Sequence, residues 1–145
     1  MKFDLKNLNP GTWFTFPDQD EVDEAKKAKI SVRIAAVEDV RTIKAKTTSK
    51  GVEYKVVRDK RGPGIPKRFE FEAKSPAQEQ LEQEMLWDLA ITDWKNLEDN
   101  AGTVIPCTKD NKITLMSGSV PFATFVAECL STLADLEPIE DKPKN

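Results

Sequence analysis

Lys29-Ile30-Ser31-Val32-Arg33-Ile34-Ala35-Ala36-Val37-Glu38-Asp39-Val40-Arg41-Thr42-Ile43-Lys44-Ala45-Lys46 changes its apolar period half-way along. Ile30, Val32 and Ile34 alternate with polar residues, which puts them on one face of a strand. From Ala36 the apolar positions become Ala36, Val40 and Ile43, the i, i+4, i+7 spacing of a helix near 36–46. A strand running directly into a helix points to an α+β chain. Upstream, Trp13-Phe14-Thr15-Phe16 is short and aromatic, bounded by Pro10-Gly11 and Pro17-Asp18. It predicts a first strand and an antiparallel hairpin near 12–34 with an acidic, solvated connection. Downstream, Val52, Tyr54 and Val56 alternate again, as do Phe69 and Phe71. This predicts a second hairpin near 52–73 looping over Asp59 to Lys67, with Gly51 closing the helical segment.

The C-terminal half has the helical period. Ser75-Pro76-Ala77-Gln78 combines a capping serine, a proline at the first helical position and a capping-box glutamine. Leu81, Met85 and Leu89 follow at four-residue spacing, flanked by Leu86, Trp87 and Ile91, so a helix is expected over 75–92. Thr108 is placed to cap a short helix over 109–116. The clearest stripe is Phe122, Phe125, Val126, Cys129, Leu130, Leu133 and Leu136, a helix over 120–136. Trp87 and Trp94, seven apart, share a face if the helix from Ser75 reaches that far. The expected organisation is one α+β domain over 1–136 and a proline-broken, flexible tail over 137–145.

Composition narrows the function. The chain has 145 residues, of which 39% are hydrophobic, or about 57, enough for one core. Charged residues make up 32%, above the ~25% of ordinary domains. The sequence contains no histidine. That removes the commonest general base and the commonest transition-metal ligand, so catalysis is not expected. Cys107 and Cys129 read as reduced, partly buried thiols, and zinc would lack two further ligands. Asp18 to Glu24 fails as a calcium loop, because Val22, Asp23 and Lys29 fall at its positions 5, 6 and 12. Arg61-Gly62-Pro63-Gly64 lacks the lysine and hydroxyl that close a phosphate loop. No catalytic, cofactor or metal residue is assigned. A cysteine-dependent enzyme is the least favoured reading. No apolar run approaches the ~20 residues of a membrane span, and no hydrophobic leader is seen in Met1 to Lys6.

The formal charge of −3 conceals segregation. Residues 41–68 hold ten bases against two acids, net +8, and residues 70–100 hold two bases against nine acids, net −7. These blocks suit self-association or a charged partner. Arg58, Lys60, Arg61, Lys67 and Arg68 form a candidate basic face, with Tyr54 or Phe69 available for stacking on nucleic acid. Aromatics at alternating strand positions are expected to face a core, however, so nucleic acid is the lesser reading. Trp87, Phe122 and Phe125 are candidates for a protein interface.

The segment Ile91-Thr92-Asp93-Trp94-Lys95-Asn96-Leu97-Glu98-Asp99-Asn100-Ala101-Gly102-Thr103-Val104-Ile105-Pro106-Cys107-Thr108-Lys109-Asp110-Asn111 resembles a pattern in small tail-assembly proteins of tailed bacteriophages and prophages. Trp94, Asp99, Gly102, Pro106 and Thr108 carry it, supported by Phe122-Ala123-Thr124-Phe125-Val126 and by the strands at 13–16 and 30–34. The likeness spans roughly two-thirds of the chain and has no counterpart over 51–74. It implies a non-enzymatic tail-assembly chaperone or minor tail protein acting in the cytoplasm of a bacterial host. Its implied partners are tape-measure and tail-tube proteins, and a frameshifted extension often follows such proteins. The alternative is a nucleic-acid-binding accessory protein of phage origin using residues 41–68.

Overall fold

The computed structural model describes residues 1–58 and 62–140. The chain is α+β. Strand β1 (Thr12–Thr15) pairs antiparallel with β2 (Lys29–Val32), and β2 pairs antiparallel with β5 (Ile91–Lys95), giving a three-stranded sheet of order β1-β2-β5. Helix α1 (Val37–Thr47) leads into a two-stranded ribbon, β3 (Ser49–Val57) and β4 (Ile65–Ala73). Helices α2 (Pro76–Ala90), α3 (Lys109–Gly118) and α4 (Val120–Glu140) complete the chain. The expected hairpins and helices are therefore present; α1 runs one residue past its expected end at 46, and β3 begins at Ser49, so that Gly51 lies within a strand rather than closing the helix. Helix α4 passes through Pro138, beyond its expected end at 136. Of the tail expected over 137–145, residues 141–145 lie outside the described residues.

The core lies between one face of the sheet and α4. Antiparallel register puts Phe14 opposite Ile30 and Ile30 opposite Trp94, with Val32 opposite Ile91. Ile30, Val32, Ile91 and Trp94 are buried together with Phe122, Val126 and Cys129 of α4. Each such aliphatic side chain contributes about 1.5–3 kcal/mol on leaving water. The opposite sheet face is polar except for Trp13, whose ring carries Lys95 Nζ at 4.4 Å.

Strand β5 corrects the expected helix over 75–92, which takes in residues 91 and 92. Helix α2 ends at Ala90, so Trp87 and Trp94 do not share a helical face. The pairing explains the misreading. Ser31 pairs with Asp93 while Val32 pairs with Ile91, leaving Thr92 as the extra residue of a bulge. A bulge reverses the alternation, so Ile91 and Trp94 face the same core although three residues apart. That spacing imitates a helix.

Local chemistry positions the rest. The Ser75 hydroxyl accepts from Gln78 N–H while Gln78 Oε1 accepts from Ser75 N–H, forming the expected capping box. Arg33 donates through Nε to Leu89 O and through Nη1 to Asn9 O, tying β2 to the end of α2 and to the N-terminal segment. Helix α3 is held to α2 by Lys112, 8% exposed, which donates to Asp88 O at 3.1 Å and Asp88 Oδ1 at 3.0 Å. Nothing in the sequence pattern distinguished this lysine from a solvated one.

Candidate protein-interaction surface

The loop that carries the phage-like pattern is a closed unit. Trp94 is 5% exposed and its indole Nε1–H donates to Ile105 O at 2.7 Å, clamping the loop onto the sheet. Trp94 also meets Phe122 edge to face at 5.9 Å. Asp99 Oδ1 accepts from the N–H groups of Ala101 and Thr103, and Gly102 sits at φ +81°. That left-handed conformation is the reason for glycine at the turn. Pro106 O accepts from Asn111 Nδ2, and Thr108 Oγ1 accepts from Asn111 N–H as the cap of α3. All five motif residues therefore belong to one loop and its flanks, and their contacts are structural.

The three candidate interface residues do not form a surface. Phe122 is 7% exposed and belongs to the core. Phe125 is half-buried against Phe16, ring centroids 4.7 Å apart, and Trp87 is half-buried on α2. The helical spacing predicts the α4 stripe, and Phe122, Val126 and Cys129 of that stripe pack in the core.

Exposed apolar residues are found in the N-terminal segment, at Phe3, Leu5 and Leu8, and along the β3–β4 ribbon. Its strands are nine residues each, about 30 Å long at ~3.4 Å per residue. Tyr54 is 67% exposed, Phe71 47%, and Val52, Val56, Val57, Ile65 and Phe69 are exposed as well. This overturns the expectation that the alternating aromatics face a core. The register gives the reason: Val52 lies opposite Glu70 and Tyr54 opposite Arg68, so Phe69 and Phe71 point to the other face. Apolar residues divided between both faces cannot all pack on one core. We call this ribbon the arm. Its base is tied down by Gln78 Nε2 donating to Ser49 Oγ and by the Lys74–Glu82 ion pair.

Charge on the arm is ordered along its length. The base, residues 49–53 and 69–73, has Lys50 against Glu53, Glu70 and Glu72, net −2. The outer half among described residues has Lys55, Arg58, Lys67 and Arg68 with no acid, net +4. Of the candidate basic face, Arg58, Lys67 and Arg68 are thus exposed together, whereas Lys60 and Arg61 lie outside the described residues. Phe71 covers Gly51, where an added Cβ would fall 2.2 Å from the ring, so the glycine fixes the ring's seat.

The thiols are not poised for chemistry. Burial pushes the half-buried Cys107 up from its ordinary value, and burial pushes Cys129 up to about 11 from 9.0. Reactive cysteines have the opposite environment. The unfolded chain therefore loses the Cys129 proton first: the stability contributed by this group is intact below pH ~9 and is lost as the pH rises towards 11. Urea unfolding at about pH 8 and about pH 10.5 should show a decline that is shallower in Cys129→Ala. Among the described residues no cluster of three His, Cys, Asp or Glu could hold a metal, and no single helix is long and apolar enough to cross a membrane.

No protein-family model, no curated protein and no solved structure matches this chain.

Proposed function

We propose that this chain is a non-enzymatic assembly protein of the phage tail-chaperone kind, binding tape-measure and tail-tube proteins during tail morphogenesis in the bacterial cytoplasm. The observation that carries the reading is the arm. A two-stranded ribbon of this length with apolar residues bare on both faces is marginal by itself and is suited to contact another protein. The Trp94-to-Thr108 pattern supports the reading from the sequence side; its residues make local contacts that hold the loop closed. Protonated thiols, no histidine and exposed charge segregation agree with a protein that works by reversible contact. The proposal requires no cofactor.

Affinity capture of the tagged chain, co-expressed with the tape-measure and tube proteins of the same phage genome, tests the reading. Stoichiometric recovery of either protein is expected, and recovery of neither contradicts it.

The second reading, nucleic-acid binding, is favoured by one pair: Arg68 lies directly opposite the exposed Tyr54, an arrangement suited to phosphate contact and base stacking. Glu53, Glu70 and Glu72 on the same ribbon oppose it. Gel-shift assays at low salt are expected to show no complex. A shift that falls steeply with salt and is lost in Arg68→Glu would make this the better account.

A further inference from the structure

The arm's two faces differ in a way that selects an occupant. On the face bearing Phe69 and Phe71, cross-strand pairs form five levels from base to tip: Ser49/Ala73, which sits at the body, then Gly51/Phe71, Glu53/Phe69, Lys55/Lys67 and Val57/Ile65. Over the outer four levels the order is apolar, acidic beside an aromatic, basic, apolar. Reversed end to end, it becomes apolar, basic, acidic, apolar. Two copies laid antiparallel about a two-fold axis over these four levels, β3 over β3 and β4 over β4, therefore set Phe71 on Ile65, Glu53 on Lys55, and Phe69 under Lys67, which lies one strand from Glu53. Such self-complementarity is what an isologous interface requires. The other face has four levels, and reversal over all of them would set Lys50 and Glu72 against Val56 and Pro66.

The lysine level gives an independent reason. Like charges directly opposite one another on a sheet are destabilising. Lys55 has Glu53 at 3.9 Å and the Phe69 ring with its centroid 5.7 Å away, and Lys67 has no ion-pair partner among the described residues. A second copy's Glu53 would supply the missing counter-charge. Edge pairing is the weaker route to association, since Pro66 removes a donor from β4 and lysines line both strands.

We propose that the β3–β4 arm is a self-association surface, in which the Phe69/Phe71 faces of two copies stack antiparallel about a two-fold axis. Stacked sheet faces lie ~10 Å apart, a distance these side chains span. The face is two strands wide and about 30 Å long, smaller than the ~800 Å² per partner of a standard interface. The dimer is accordingly weak and concentration-dependent. This inference does not rest on the tail-assembly reading, and it stands or falls on the chain alone.

Sedimentation velocity of the purified full chain over a dilution series, at low salt, tests it. A monomer–dimer equilibrium is expected. Ile65→Asp should weaken it at least ~10-fold, and so should the pair Lys55→Glu with Lys67→Glu. Adding Glu53→Lys to that pair rebuilds the charge match and should return association to within a few-fold of wild type. Val56→Asp, on the opposite face, should leave it unchanged. Circular dichroism and urea midpoints check that each variant keeps the body folded. The proposal is overturned by a wild-type chain monomeric up to millimolar concentration, by equal loss in Val56→Asp and Ile65→Asp, or by failure of the triple variant to recover. A monomer that binds an oligonucleotide through Lys55 and Lys67 would also overturn it, in favour of nucleic acid.

Discussion

Trp94→Ala should lower the unfolding free energy by about 3–5 kcal/mol, the range for deleting a large buried aromatic. Typical domains are stable by only ~5–15 kcal/mol, so the variant would be barely folded at 37 °C. Two losses combine. The sheet loses a residue wedged between Ile30 and Phe122, and the Ile105 carbonyl loses its indole donor. Trp94→Phe separates them: the ring volume is largely kept while the donor goes, for an expected cost of about 1–3 kcal/mol. Urea unfolding followed by far-UV circular dichroism reads both. A Trp94→Ala variant within 1 kcal/mol of wild type, on the scale of an exposed substitution, would mean that the loop is not clamped through this residue.

The α2–α3 junction gives the second large effect, and here the asymmetry is the informative part. Asp88→Ala leaves the ammonium of the buried Lys112 with only the residue 88 backbone carbonyl to bind. The Asp88 side chain is itself 39% exposed, so water screens the pair, and the cost should be about 2 kcal/mol rather than the 3–5 of a sealed pair. Lys112→Met keeps the packed stem and lets Asp88 turn to solvent. That change should fall within about 1 kcal/mol of wild type. The reverse order, with Lys112→Met the more damaging, would show that the ammonium itself holds the helices together.

What could be read from the chain beforehand follows a physical line. Signals confined to a few neighbouring residues were legible: the Ser75/Gln78 capping box, the Thr108 cap, the Asp99–Gly102 turn and the Ile30/Val32 alternation. The Phe122, Val126 and Cys129 stripe was legible too, because an uninterrupted helix preserves its period. Strand β5 was hidden by the Thr92 bulge, which makes a buried strand spell Ile-x-x-Trp. Lys112 could not be found, since its burial depends on where α2 places Asp88. The arm shows the subtler failure. Each alternation in it was seen, yet whether Val52/Tyr54 and Phe69/Phe71 share a face depends on register, which neither strand contains alone. The proposed interaction surface thus lies on the ribbon rather than on the amphipathic helix.

The central claim is that this chain serves a partner protein rather than a reaction. Its most direct test is the soluble fraction of the tape-measure protein expressed with and without this chain, read by quantitative gel densitometry after centrifugation. The proposal predicts that tape-measure protein is largely insoluble alone and passes into the supernatant, bound to the chain, when the two are made together. Tape-measure protein that stays in the pellet at every ratio of the two would contradict it.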